Sequence, residues 1–220
     1  MLISEFVRLY PRLFHMAADG SWPSIERHGL LSTTGLLDRW EVAPQVRSEL
    51  LHSARVSSAV VEHPDFGRAI VRDQKPIHIP SLASSLDGMT VAEWLDALND
   101  RVFFFVQRER MQGLLSARSY RGRPHTVITI DTARLVADYE SRIELCGINS
   151  GFAQRHSKAA RGRNTFQPIA AYRHPDREVP RTRPRWDIAE LSIRTGVPNV
   201  CDYVVRVDRM QDAVVLDRIV

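Results

Sequence analysis

The chain has 220 residues, 44% of them hydrophobic and 25% charged, with a formal net charge of +4. That length and balance fit one globular domain with a sizeable core. No apolar run approaches the roughly 20 residues that a bilayer-spanning helix needs, so none is expected in these residues.

Residues 3–10 carry apolar side chains at helical spacing and stop at Pro11. Leu13 to Ala17 reads as a short buried strand. The spacing predicts a compact helix from Ser21, with Ser21 as its N-cap, Pro23 in the first turn and Gly29 at the C-terminal end. Ser32 or Thr33 caps the next helix, and a longer one is expected over 44–61. Arg68 to Ile79 reads as extended. Thr90 to Glu93 matches a capping box and predicts a helix to about Leu98. Val102 to Val106, with three phenylalanines, is expected to be a buried strand. Residues 108–117 and 133–139 read as helices, and 125–131, 143–146, 203–207 and 214–220 as strands. Helices fill the first half and strands the second, an α+β pattern without regular βαβ alternation. No Walker loop or Gly-x-Gly-x-x-Gly occurs.

The opening Met1 to Phe6 has neither a basic region nor an apolar core, so no signal peptide is expected and the setting is read as cytoplasmic. Cys146 and Cys201 lie in apolar, strand-like runs. With no Cys-x-x-Cys and no tight His/Cys cluster, neither a disulfide framework nor a bound metal is expected.

Charge is unevenly spread. Between Gly151 and Ala189 stand nine Lys/Arg (among them Arg155, Lys158, Arg161 and Arg163) against three acids, a surplus of +6 that leaves −2 for the rest. A basic segment in an otherwise slightly acidic chain points to a phosphate-bearing partner, the alternative being a solvated loop. Phe152, Phe166, Tyr172 and Trp186, interleaved with these cations, suit stacking on splayed bases. The segment around 151–185 therefore reads as an acceptor-recognition insertion in a single domain of residues 1–220. Just after it, Glu190 falls inside the apolar run 186–193. If buried, a carboxylate there costs free energy unless something pairs with it, so it is a structural ion-pair partner or a working group; the other reading is a solvated strand face, where most strand glutamates lie.

Four stretches, in order, resemble the DarT family of DNA ADP-ribosyltransferases. They are His15 to Ile25 with Gly29-Leu30 behind; Ile70-Val71-Arg72 leading to Pro76; Phe103 to Met111, similar to a Phe-Tyr-Phe-x-x-Arg-x-x-Met motif; and Ala189 to Ile193 with Val197-Pro198 and Val204 to Val207. Ala17, Ala18 and Ser21 stand where the family tends to have Thr, His and Asn, and Phe104 where it has Tyr.

The resemblance implies a split β-sheet core and transfer of ADP-ribose from NAD to a base in single-stranded DNA or RNA. It implies Glu190 and Arg72 as catalytic residues, and His15, Ser21, Phe104 and Met111 as contacts to NAD. Phe104 would offer a ring to the nicotinamide; core packing is the other reading of Phe104 and Met111. A toxin or phage-defence role, with a macrodomain-type antitoxin as partner, belongs to the same resemblance. Three further readings stand beside it. One is a non-catalytic nucleic-acid-binding module, one an RNA 2′-phosphotransferase-like enzyme and one an NAD glycohydrolase.

Overall fold

A computed structural model describes residues 1–155, 159–172 and 188–220. The strands are β1 (Arg12–Ala18), β2 (Leu30–Leu31), β3 (Ala59–His63), β4 (Gly67–Val71), β5 (Leu86–Asp87), β6 (Arg101–Phe105), β7 (Pro124–Asp131), β8 (Ile143–Cys146), β9 (Arg161–Gly162), β10 (Gln167–Pro168), β11 (Glu190–Arg194), β12 (Gly196–Val197), β13 (Val204–Gln211) and β14 (Val214–Arg218). The helices are α1 (Ile3–Leu9), α2 (Trp22–His28), α3 (Thr33–Arg39), α4 (Pro44–His52), α5 (Ile79–Ser85), α6 (Val91–Asn99), α7 (Arg108–Leu115) and α8 (Thr132–Tyr139). Seven of those eight helices precede residue 116, and eight strands form one antiparallel sheet. The class is α+β.

The sheet runs β10-β8-β11-β6-β1-β7-β13-β14. Its centre is its weakest seam. β1 pairs with β7 over seven residues and β6 with β11 over five, yet β1 and β6 meet at one pair, Phe14 opposite Phe105. Continued in register, Met16 would oppose Phe103 and Ala18 would oppose Arg101; no such pairs form, so two four-stranded halves diverge from a single hinge. Side chains occupy the opening instead. The His15 ring bonds the Phe103 carbonyl through Nδ1 at 2.8 Å, and the Arg72 guanidinium donates to the Met16 carbonyl at 2.6 Å. Backbone groups that lost their ladder partners are thereby satisfied.

One face of the sheet packs Leu13, Phe104, Ile130, Leu191 and Ile193 against Phe6 of α1 and Leu135 and Val136 of α8. The other packs Phe14, Met16 and Val127 against Met111 and Leu115 of α7. Alternation of side chains along each strand divides these two sets. The Thr90 capping box is present with both of its bonds, and Ser32 caps α3 by accepting from the Gly35 N–H.

Four expectations are corrected. The helix expected over 44–61 stops at His52, because Ala59 to His63 pairs with β4 across a turn through Pro64 and Gly67. β-Branched Val60 and Val61 favour that ladder. The extended run ends at Val71, and Ile79–Ser85 is a helix with Pro80 in its first turn. Cys201 lies exposed on a short 3-10 turn, Val200–Asp202, rather than in a strand. Ser21 precedes α2 but makes no side-chain cap bond. Gly29 has φ +86°, and a Cβ there would fall 2.4 Å from the Pro198 backbone. Glycine is thus required where α2 meets the β12–β2 pair.

Candidate functional site

The divergence of β1 from β6 opens a cleft of about 290 Å³. His15, Ser21, Arg72 and Glu190 all line it. Each comes from a different part of the chain: β1, the start of α2, the turn after β4, and β11. Phe103 and Phe105 add aromatic surface.

Glu190 is only 4% exposed. On β11 it stands between Phe105 of β6 and Cys146 of β8. Burial pushes its carboxyl up to about 7, against the pull of Ser150, whose N–H (3.0 Å) and hydroxyl (2.7 Å) both donate to Oε2. Arg110 and Arg161 act on it at longer range. Among the described residues no cation sits within ion-pair distance of Glu190. Two donors on one oxygen orient the group and leave its other oxygen for a ligand in the cleft.

His15 is held well below the usual imidazole range, at about 4, by burial and by the Arg72 charge. The ring is therefore neutral at physiological pH. A carbonyl can only accept, so the bond to Phe103 fixes the proton on Nδ1 and leaves Nε2 as an acceptor. The Arg72 guanidinium lies over the Tyr120 ring at 4.7 Å, and the Tyr120 hydroxyl donates to Asp73 at 2.8 Å. Burial lowers the Arg72 pKa while Asp73 opposes that. Arginine loses little of its charge by such burial, because its ordinary value is so high.

Phe104 and Met111 are not in the cleft. Phe104 is fully buried in the main core and Met111 lies in the core beneath α7. Strand alternation explains Phe104: it points opposite to Phe103 and Phe105, which do reach the cleft.

The basic residues separate as well. Arg155 is exposed, and Arg163 is exposed with a 3.2 Å ion pair to Glu93. Lys158 and Trp186 lie outside the described residues. Arg161 is only 2% exposed, and its guanidinium donates to the carbonyls of Phe152 and Ala159 and to Ser85 Oγ (3.3 Å). It ties Phe152 and Ala159 to α5 and is too enclosed to offer a phosphate anything. Phe166 stacks on Trp94 at 5.5 Å and Tyr172 is in the main core, so neither is free to stack on a base; Phe152 is exposed. Part of the supposed insertion is sheet: β9 pairs with β5, and β10 is an edge strand of the main sheet.

Ser150, Phe105 and Tyr120 were missed by sequence reading. The turn-forming run Gly147-Ile148-Asn149-Ser150-Gly151 announces a loop, but only the β8–β11 register brings its serine to the carboxylate.

Fold and site together define an α+β protein built around a split antiparallel sheet, with a polar cleft at the split. The chain belongs to a family of unknown function, DUF7002, whose profile matches residues 11–204. No curated protein and no solved structure matches it. That span includes His15, Arg72 and Glu190. Among the described residues, no helix is long and apolar enough to cross a membrane, and no group of three His, Cys, Asp or Glu is arranged to hold a metal ion.

Proposed function

We propose that this protein is an NAD-dependent ADP-ribosyltransferase, similar to the DarT family, that modifies a base in single-stranded DNA or RNA. The observation that carries this reading is the meeting of His15, Arg72 and Glu190 in one cleft at the split of the sheet. A neutral imidazole, a fixed guanidinium and an oriented carboxylate suit a dinucleotide whose ribose develops positive charge.

In the reaction, the bond from the ribose C1′ to the nicotinamide nitrogen breaks, and nicotinamide leaves neutral with the bonding pair. The oxocarbenium-like sugar is then captured by a nitrogen of the acceptor base, which gives up its proton. Ionised Glu190 stabilises that cation and receives or relays the proton. Arg72 steadies a phosphate, and His15 Nε2 accepts from a ribose hydroxyl or from the nicotinamide amide. The ring for nicotinamide stacking is Phe105, the cross-strand neighbour of Glu190, in place of Phe104.

Two unpaired cysteines are in keeping with a reducing, cytoplasmic setting, where NAD is plentiful. A macrodomain-type antitoxin is the partner this reading calls for.

The test is incubation of the purified chain with NAD and a panel of single-stranded oligonucleotides, read by mass. An acceptor should gain one ADP-ribose and nicotinamide should appear. Glu190→Gln should lower transfer by about two orders of magnitude or more, as removal of a transition-state electrostatic group does. Wild-type protein that neither releases nicotinamide nor marks any acceptor overturns the reading.

A further inference from the structure

A second cavity, of about 250 Å³, adjoins the cleft, and Ala18, Arg72, Asp73 and Tyr120 border both. The stacked pair Arg72–Tyr120 thus serves as the partition. Beyond it stand Lys75, Arg123, His125 and the hydroxyls of Ser57 and Ser58.

The two acids of this cavity are already engaged. Asp19 is clamped by Arg209 through two bonds of 2.8 and 2.9 Å. Asp73 accepts from Tyr120 and from Ser58 (3.3 Å), and meets Lys75 at 3.8 Å. Arg123, by contrast, is exposed and has no hydrogen bond or ion pair to another described residue. Its backbone is pinned on both sides: the Gly122 N–H donates to Asp212 at 3.0 Å, and Pro124 pairs with Gln211. In the wall, His125 is 7% exposed; its Nε2 donates to the Tyr120 carbonyl at 3.4 Å, so its buried Nδ1 is a lone pair that offers an anion nothing. An unpaired guanidinium carried on a fixed loop, an ammonium at the limit of ion-pair distance and the Ser57 hydroxyl together suit a tetrahedral polyoxyanion.

We propose that this second cavity is a phosphate-ester site, gripped by Arg123 and Lys75 and communicating with the cleft across Arg72. It deepens the transferase reading, on which it rests for the source of the phosphate: the diphosphate of NAD or the backbone of the acceptor strand.

The full chain is titrated with inorganic pyrophosphate, with NAD and with a single-stranded oligonucleotide, as wild type and as Arg123→Ala, Lys75→Ala and the exposed control Arg121→Ala. Pyrophosphate affinity should fall about tenfold or more in Arg123→Ala and Lys75→Ala, the loss of one charge-assisted contact, and stay unchanged in Arg121→Ala. A parallel loss for the oligonucleotide alone, with its salt slope reduced by about one, identifies the acceptor backbone. A parallel loss for NAD alone identifies the dinucleotide. Loss for pyrophosphate alone upholds the site and detaches it from the transferase reading. Unchanged affinities in both variants, equal losses in the Arg121→Ala control, or no binding of any probe by wild type overturns the site.

Discussion

Replacing Glu190 by glutamine should stabilise the folded protein at alkaline pH. Burial lifts this carboxyl from its ordinary 4.5 to about 7. The folded chain therefore holds the proton more tightly than the unfolded chain does. The stability this contributes is complete below about pH 4.5 and is lost as pH rises through 7. Above that, the ionised side chain costs about 3 kcal/mol relative to a neutral one. Glutamine keeps the shape, can still accept from the Ser150 N–H, and never ionises. Glu190→Gln should thus gain about 3 kcal/mol at about pH 8 and under about 1 kcal/mol at about pH 5. In a chain of this size that is a rise in Tm of roughly 6–12 °C at the higher pH. Urea unfolding at both pH values measures it. A carboxylate paired for structure predicts the opposite sign, since removing one partner of a buried pair costs several kcal/mol. A less stable Glu190→Gln protein at pH 8 would refute the picture of an unpaired, working carboxylate.

Three further outcomes are expected. Ser150→Ala removes a donor that favours the ionised carboxyl, so an NMR titration of Glu190 should move from about 7 upward by about one pH unit or more; if the proposed transferase chemistry holds, nicotinamide release should rise with pH through the same point. Arg161→Met leaves the Phe152 and Ala159 carbonyls unpaired and should cost about 3 kcal/mol or more in urea unfolding. Arg163→Glu, on an exposed residue, should stay within about 1 kcal/mol, and equal effects of the two would contradict the buried role given to Arg161. Gly29→Ala should lower stability by about 2–4 kcal/mol, because φ +86° disfavours a side chain and Pro198 occupies its space; a neutral effect in thermal melts would mean that the α2–β12 approach is loose.

Local signals carried much of the fold. Pro11 ended α1, Thr90 and Glu93 opened α6, and Val102 to Phe105 formed a strand, because caps and period-two runs act over a few residues. The hairpin Ala59 to Val71 escaped notice, since its stability comes from pairing partners across a turn and not from the helix propensity of residues 44–61. The site was half legible. His15, Ser21, Arg72 and Glu190 do share a cleft, whereas Phe104 was chosen one residue away from the faces that reach it. Counting arginines in 151–185 could not separate exposed Arg163 from buried Arg161, because composition records charge and not the carbonyls that surround it.

By itself the sequence determined which segments curl or extend, and that an acidic side chain interrupts an apolar run; its burial was left to the tertiary structure. Tertiary structure alone decided that β1 and β6 part after one residue pair, that Ser150 would orient the trapped carboxylate, and that Arg72 would stand between two cavities. Those outcomes depend on register and on contacts between residues far apart in the chain. No local run of residues encodes them, because their energy exists only once the distant partners have met.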